Sequence, residues 1–368
     1  MRRACLHAPN HIPSFEKYCH NLTTFVAFGS HARNGCLRLL GANSNLELLH
    51  LEGGCWTMPK SSNPVILHKL RQLRWSTTYG FGSALVSVAN AAPNLVQLAL
   101  STNSKLYCTH TGPNIMEVAH ACPNLCTFSC KQLPIGPRDS FLKRFLVTCN
   151  AIVILDVSMH AELTDTVLIG ALEVLVGLKC LNLIGCCLLT DHTLDFLAQH
   201  YASTLQILYL GHQSIHIQPH QEIYTAAGIA RLRALCTHLH TFHYFVEVDA
   251  WQQQQMSLVE ACQRATIVDL KDEQMLPLQI MVLQHCHQMQ IMAVTLCHYN
   301  NDLIRLTVEQ LMEIAERCPE LRRVVLEQSE FGVREDDVDY SAVRERYPNV
   351  HITTDMTMFD FDMLEIPV

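Results

Sequence analysis

Apolar residues in the stretch LKCLNLIGCCLLTDHTLDFLA, residues 178–198, follow two periodicities in succession. Its first leucines make the pattern L-x-x-L-x-L, whose alternation predicts a short strand with one buried face. Leu194 and Leu197 then follow at a spacing typical of one side of a helix. A unit this short cannot bury the apolar faces of both elements, so it needs a copy of itself on each side.

The first apolar residue of this unit recurs along most of the chain as a repeat anchor. Its spacing ranges from 22 residues (Ile267 to Met289) to 34 residues (Leu205 to Leu239) and averages about 27, which is within the range of leucine-rich repeats. We therefore predict an α/β leucine-rich-repeat solenoid, a horseshoe with a parallel sheet on its concave face and helices on its convex face. Residues 1–354 would form about 12 repeats, and residues 355–368 an acidic, hydrophobic C-terminal tail. The anchors are Leu22, Leu46, Leu70, Leu95, Leu125, Ile152, Leu178, Leu205, Leu239, Ile267, Met289, Leu321 and Val350.

Polar residues and prolines predict where the elements of each repeat begin and end. Thr164 or Asp165, and likewise Thr190 or Asp191, are placed to cap the helix that follows them. The ninth residue of a repeat should satisfy backbone groups in the turn after the strand; this residue is Cys186 in one repeat, and Asn103 and Cys297 in two others. A proline before an anchor should end the preceding helix. These prolines are Pro93, Pro123, Pro319 and Pro348.

Composition favours a reduced compartment and a partner that is neither nucleic acid nor membrane. The net charge is -8 without a dense basic tract, which disfavours binding to phosphates or to anionic lipids. The 17 cysteines are odd in number and no signal peptide or transmembrane stretch is visible, so we expect a cytoplasmic or nuclear protein. The cysteines fall at repeat positions, where core packing is favoured over metal binding.

The first residues read like the end of a helix that stops at Pro9. A solenoid normally opens with a repeat that caps its core. We therefore expect either that the sequence starts inside a longer array or that a further domain precedes it.

The two fullest repeats, residues 152–168 and 178–198, resemble the cysteine-containing leucine-rich repeat L-x-x-L-x-L-x-x-C-x-x-L-T-D of F-box proteins. That resemblance implies repeats that recognise a protein substrate, and an F-box that binds a cullin-RING ubiquitin ligase adaptor. No F-box is recognisable near the N-terminus. Substrate recognition for such a ligase is therefore one hypothesis, and a free-standing scaffold or regulatory repeat protein is the other.

A protein partner is expected to bind the concave face, on residues that flank the inward leucines. Tyr209, His243 and Phe245 come from adjacent repeats and would form one aromatic patch, although isolated exposed aromatic residues are also ordinary surface. The other candidate contacts on this face are Arg74, His50, Asp156, Asn182 and Arg323.

No enzyme, cofactor or metal site is predicted. The chain contains no G-x-S-x-G, P-loop, H-E-x-x-H or dinucleotide-binding motif. His212, His216 and His220 have a spacing that could bind zinc on a helix, but Pro219 makes their segment a poor helix. We interpret these histidines as ordinary loop residues.

Overall fold

A computed structural model describes most of the chain. The described residues are 3–6, 21–28, 40, 43–53, 66–77, 81–102, 111–131, 141–212, 224–248, 267–270, 289–296, 298–299, 302–303, 307–328 and 340–353. The predicted tail, the His-rich segment beyond His212, and the ninth-position residues Asn103 and Cys297 lie outside these ranges.

The chain divides into two compact units, residues 1–207 with 227–240, and residues 208–226 with 241–368. Strands of the first unit pair in parallel, each with the next one along the chain. They are β1 (Arg3–Leu6), β2 (Thr24–Phe28), β3 (Leu48–Glu52), β4 (Gln72–Thr77), β5 (Gln97–Thr102), β6 (Thr127–Lys131), β7 (Ile154–Asp156) and β8 (Cys180–Asn182). A further strand, β9 (Ile207–His212), begins at the last residue of this stretch and continues in the second unit.

From β4 onward, helices lie between successive strands of the first unit, as is usual for parallel pairing. They are α1 (Gly82–Ala91), α2 (Thr111–Ala121), α3 (Phe141–Thr148), α4 (Asp165–Leu172), α5 (Asp191–His200) and α6 (Ala226–Leu235). Phe128 of β6 stacks on Phe145 of α3 with ring centroids 4.0 Å apart, so this helix packs against the apolar face of the sheet.

The second unit repeats the same arrangement. Its strands β10 (Thr241–Val248), β11 (Ile267–Leu270), β12 (Ile291–Leu296), β15 (Arg323–Gln328) and β16 (His351–Thr353) pair in parallel in that order. Two short strands, β13 (His298–Tyr299) and β14 (Asp302–Leu303), pair antiparallel. The helices are α7 (Val308–Arg317) and α8 (Ser341–Arg346).

Burial of the predicted leucines confirms the α/β leucine-rich-repeat solenoid. Leu181 and Leu183 have no exposed surface, and the anchors from Leu22 to Leu205 are each at most 1% exposed. Along β4 and β5, half-buried residues alternate with buried ones, as expected for a strand with one face on the core. The anchor Leu239 is an exception, since it is only half-buried.

The predicted anchor Ile267 was wrong. Ile267 pairs with Ile291, which lies two positions after the anchor Met289. It also pairs with Phe245, which lies six positions after the anchor Leu239. In both registers Ile267 lies on the strand that follows the anchor, and its apolar side chain made it resemble one.

The helices end just before the prolines, as the sequence predicted, and a buried thiol bonds to carbonyl groups at such an end. Helix α1 stops at Ala91, two residues before Pro93, and the other three prolines follow their helices at the same distance. The Cys122 thiol then donates to the carbonyl oxygens of Ala89 and Ala92, at 3.6 and 3.5 Å. These carbonyl oxygens also accept hydrogen bonds from the backbone N–H groups of Ala92 and Leu95, so the thiol adds a second hydrogen bond to each and joins two successive repeats.

Equivalent hydrogen bonds join other successive repeats. The Cys149 thiol donates to Ala119 and Cys122 carbonyl oxygens, both at 3.7 Å, and the Tyr201 hydroxyl donates to the carbonyl oxygens of Leu172 and Leu175. The cysteines whose side chains the structure describes are all free, and all but Cys126 are buried. Core packing, the predicted role, accounts for them.

Of the two Leu-Thr-Asp segments, the second caps its helix as predicted, whereas the predicted cap by Thr164 or Asp165 was wrong. Thr190 caps α5 as predicted, because its hydroxyl accepts a hydrogen bond from the His192 backbone N–H at 3.2 Å. Thr164 occupies the equivalent position at α4, yet its side chain makes no capping hydrogen bond. The Asp165 carboxylate instead accepts hydrogen bonds from the Thr190 N–H, the Thr190 hydroxyl and the Thr193 hydroxyl. This carboxylate therefore joins two successive repeats.

Ninth-position residues satisfy backbone groups, as the sequence predicted. The Cys186 thiol donates to the Val157 carbonyl oxygen at 3.1 Å. His160 is the ninth residue of the preceding repeat and also bonds to backbone groups. Its Nδ1–H donates to the carbonyl oxygens of Val157 and Ser158 at 3.0 and 2.9 Å.

Two helical glycines provide a matched test of this packing. A Cβ added to Gly170 in α4 would meet nothing within 4 Å, whereas one added to Gly228 in α6 would collide with the Asp191 carboxylate. We expect Gly170→Ala to raise the free energy of unfolding by about 0.5–1 kcal/mol, because alanine costs less helix entropy than glycine. Gly228→Ala is expected to lower it by about 1 kcal/mol, since the lost carboxylate contacts outweigh that gain. Urea denaturation followed by circular dichroism measures both, and stabilisation by Gly228→Ala would contradict the packing described here.

Candidate protein-interaction surface

Side chains opposite the buried leucines form a continuous face on the sheet of the first unit, here called the sheet face. Its central row consists of the residues four positions after each anchor, which lie opposite one another in register. In the described residues from β4 onward, helices lie on the opposite, leucine-bearing side, so a partner reaches that part of the sheet through this face. From β2 to β8 the row reads Val26, His50, Arg74, Ala99, Ser129, Asp156 and Asn182.

His50 and Arg74 lie on the accessible part of this row, as the sequence predicted. Both are half-buried, and they occupy neighbouring register positions on β3 and β4. The Phe28 ring meets His50 edge-on with centroids 5.8 Å apart. Phe28 was not among the predicted contacts, although its place six residues after the anchor Leu22 puts it on the same face. Together the three side chains give this end of the sheet face aromatic and cationic groups, which are common in protein interfaces.

Asp156 and Asn182 were predicted to be exposed, and this was wrong. They are 5% and 0% exposed. Each ends a three-residue strand and folds back onto the turn that follows: Asp156 Oδ1 accepts from the Ser158 N–H at 2.9 Å, and Asn182 Oδ1 accepts from the Ile184 N–H at 3.1 Å. Short polar side chains compete for backbone donors in this way wherever a strand stops early. The prediction that these two residues bind a partner rested on their being exposed, and both are buried.

The Asp156 carboxyl group is held in an environment that disfavours its charge. Burial raises its pKa, against the opposing effects of the Ser158 N–H, the Ser129 hydroxyl and Lys131. The Ser129 hydroxyl donates to Oδ2 at 3.1 Å. These hydrogen bonds satisfy both carboxyl oxygens, so the residue stabilises the turn and the neighbouring strand.

In the second unit, the structure brings together two of the three predicted aromatic-patch residues. Tyr209 stacks on His243 with ring centroids 5.3 Å apart and an angle of 25° between the ring planes. His243 is half-buried, and burial lowers its pKa. Tyr209 is only 7% exposed, so its predicted exposure was wrong; one face of its ring is covered by the imidazole. The Phe245 side chain lies outside the described atoms, and the patch's binding role stays a prediction.

Arg323 is half-buried on β15, which pairs with β12 and β16 in the second unit. Its Nε is buried and has no hydrogen-bond partner among the described residues. The residue is thus less exposed than the sequence predicted, and its part in binding also stays a prediction.

Three of the buried thiols, those of Cys122, Cys149 and Cys180, are poor nucleophiles. Burial raises the pKa of Cys122 to about 11, and burial with the nearby Cys122 raises that of Cys149 to about 12. Burial and the Asp156 charge raise the pKa of Cys180 to about 12. Because the thiolate is the reactive form, these side chains are inert at neutral pH. Within the described ranges there is also no group of three His, Cys, Asp or Glu side chains arranged to hold a metal ion, and no helix able to span a membrane.

No protein-family model and no curated protein matches this chain. Among solved structures, the crystal structure of the leucine-rich repeat-containing protein LegL7 from Legionella pneumophila has a TM-score of 0.46 and 14% identity, over 78% of this chain and 95% of LegL7. The crystal structure of the Rad7 and Elc1 complex in yeast has a TM-score of 0.43 and 13% identity, over 90% of this chain and 83% of the matched chain. At these values neither likeness carries information about function.

Proposed function

We propose that this chain is a protein-interaction module that binds a partner protein through its sheet face. The observation that supports the proposal most is the half-exposed face of β2 to β6, which carries the aromatic and cationic side chains of Phe28, His50 and Arg74 opposite a side of buried leucines. Repeated strands hold these groups at fixed spacing, which reduces the entropy lost when a partner binds. We further propose that the bound protein is a ubiquitin-ligase substrate, since the repeats resemble those of F-box proteins.

A free-standing scaffold or regulatory protein is the second candidate. It requires only the repeats and the sheet face, without an adaptor-binding segment. Both candidates use the same face, so they differ only in whether a cullin-RING adaptor binds the chain. The cellular location, cytoplasm or nucleus, stays a prediction.

Site-specific photocrosslinking tests the binding face. We expect p-benzoylphenylalanine at Arg74 to crosslink a discrete partner protein in cells, and the same group at Lys143, exposed on α3, to leave that partner unlabelled. The purified partner should then bind Arg74→Glu at least about 10-fold more weakly than the wild type, because an interface arginine is replaced by the opposite charge. Equal crosslinking from both positions would contradict the sheet-face proposal.

Reconstitution with a purified cullin-RING adaptor separates the two candidates. Co-elution of the full chain with the adaptor in size-exclusion chromatography is expected for a ligase subunit. Elution as two separate peaks would reject the ligase proposal and leave the scaffold proposal standing.

A further inference from the structure

A second row of the sheet face contains unusual polar side chains. It lies two positions before the central row, and its register pairs Leu48 with Gln72, Gln72 with Gln97, and Gln97 with Thr127. The two glutamines are half-buried and point away from the core, because Leu73 and Leu98 beside them are completely buried. Neighbouring strands are about 4.8 Å apart, so the two side-chain amides are adjacent.

These side chains have unused hydrogen-bonding capacity. Within the described part of the chain, neither glutamine amide takes part in a hydrogen bond or an ion pair. The Thr127 hydroxyl, next in the row, is buried and has no hydrogen-bond partner among the described residues. A primary amide offers two donors and a carbonyl acceptor, so both side chains can form hydrogen bonds with the polar groups of a partner.

The surroundings of the two amides indicate which kind of partner group can bind them. Ala99, Ser76 and Ser101 on the same two strands are small and half-buried, so an incoming chain can approach the sheet closely. The row from Leu48 to Thr127 has no charged side chain, although the protein carries a net charge of -8. A charged partner group would gain no counter-charge from this row, whereas a main-chain peptide group matches the donor and acceptor of each amide.

We propose that Gln72 and Gln97 hydrogen-bond the main chain of an extended segment of the partner protein. This inference rests on the proposed binding function and specifies the chemistry of the same face. The two adjacent amides hydrogen-bond peptide groups of one extended segment, and these bonds do not depend on the identity of its side chains. Sequence selectivity then comes from the flanking central row, which includes Arg74.

A displayed library of random 12-residue peptides, selected on the full chain, provides the probe. The peptides with the highest enrichment are synthesised and their affinities measured by isothermal titration calorimetry. We expect the double variant Gln72→Leu with Gln97→Leu to bind them about 10-fold or more weakly, from the loss of two hydrogen bonds. Leucine is compatible with this row because Leu48 already occupies it. Gln199→Leu, exposed on α5, is the matched control and should bind as the wild type does.

Backbone N-methylation of the peptides identifies the contact directly. At one or two peptide positions an N-methyl group should cost the wild type about 10-fold in affinity and cost the double variant nothing, because the coupled hydrogen bond is already missing. Equal N-methyl effects in both proteins, binding of the double variant within twofold of the wild type, or a library without any binder would overturn the inference. Crosslinking from Arg74 to a partner would uphold the proposed function in each of these cases.

Discussion

Leu181→Ala is expected to lower the free energy of unfolding by about 3 kcal/mol, within the range of about 2–5 kcal/mol for leucine truncations in protein cores. Leu181 has no exposed surface and lies in register with Leu155 on the neighbouring strand. Truncation removes buried methyl groups and leaves a cavity against a strand that cannot relax, since it is paired within the sheet. Because a repeat contacts only its neighbours, the loss also weakens the interface on each side.

Leu48→Ala is the matched control for this prediction. Leu48 lies on the opposite side of the sheet, where it is half-buried on the sheet face. The same truncation there should cost about 1 kcal/mol or less, since less apolar surface returns to water. Urea denaturation followed by circular dichroism compares the two variants. Equal losses would mean that the leucine-bearing side is not the core.

Acidification from pH 6.5 to pH 4 is expected to remove about 3 kcal/mol of stability through His160 alone. Burial lowers the pKa of this imidazole from 6.5 to about 4. The unfolded chain therefore takes up a proton near pH 6.5, while the folded protein excludes it down to about pH 4. The stability contributed by the neutral ring is complete above pH 6.5 and is lost as the pH falls through this window.

Comparison with a variant isolates the His160 contribution. Asp156 acts in the opposite direction, because burial raises its carboxyl pKa and so favours the folded state as the pH falls. His160→Asn keeps a side-chain donor for the Val157 and Ser158 carbonyl groups without a titrating ring, so its stability should fall by about 3 kcal/mol less than the wild type between pH 6.5 and pH 4. His192→Asn, at an exposed position on α5, should follow the wild type. Identical pH slopes for wild type and His160→Asn would contradict this assignment.

The repeat architecture was predictable because burial imposes a period on the sequence. The anchors, the leucines at 181 and 183, the proline stops and the Thr190 cap each follow from one local rule, namely alternation, helix termination or capping. Where the local signal was weak the prediction was wrong, as at Ile267, which lies on its strand and not at the anchor position.

The candidate surface was predictable only in part. His50 and Arg74 lie where counting from the anchor placed them, because β3 and β4 are long enough to carry their alternation past these residues. The same count failed at Asp156 and Asn182, whose strands stop after three residues and whose side chains bond to the following turns. Strand length depends on pairing with neighbours, which a count along one repeat does not include.

The sequence by itself determined that this chain is a stack of strand-helix repeats, because each unit is too short to bury its own apolar faces and the period of its leucines states how copies must align. The tertiary structure alone decided which polar residues remain available to a partner. Asp165 binds the next repeat, Asp156 and Asn182 bind turns, and Gln72 and Gln97 bind no described group. The reason is that the partners of Asp165 lie one repeat away in sequence and become neighbours only when the repeats stack. Asp156 and Asn182 bind backbone groups two residues further on, because pairing between strands ends β7 and β8 at these residues.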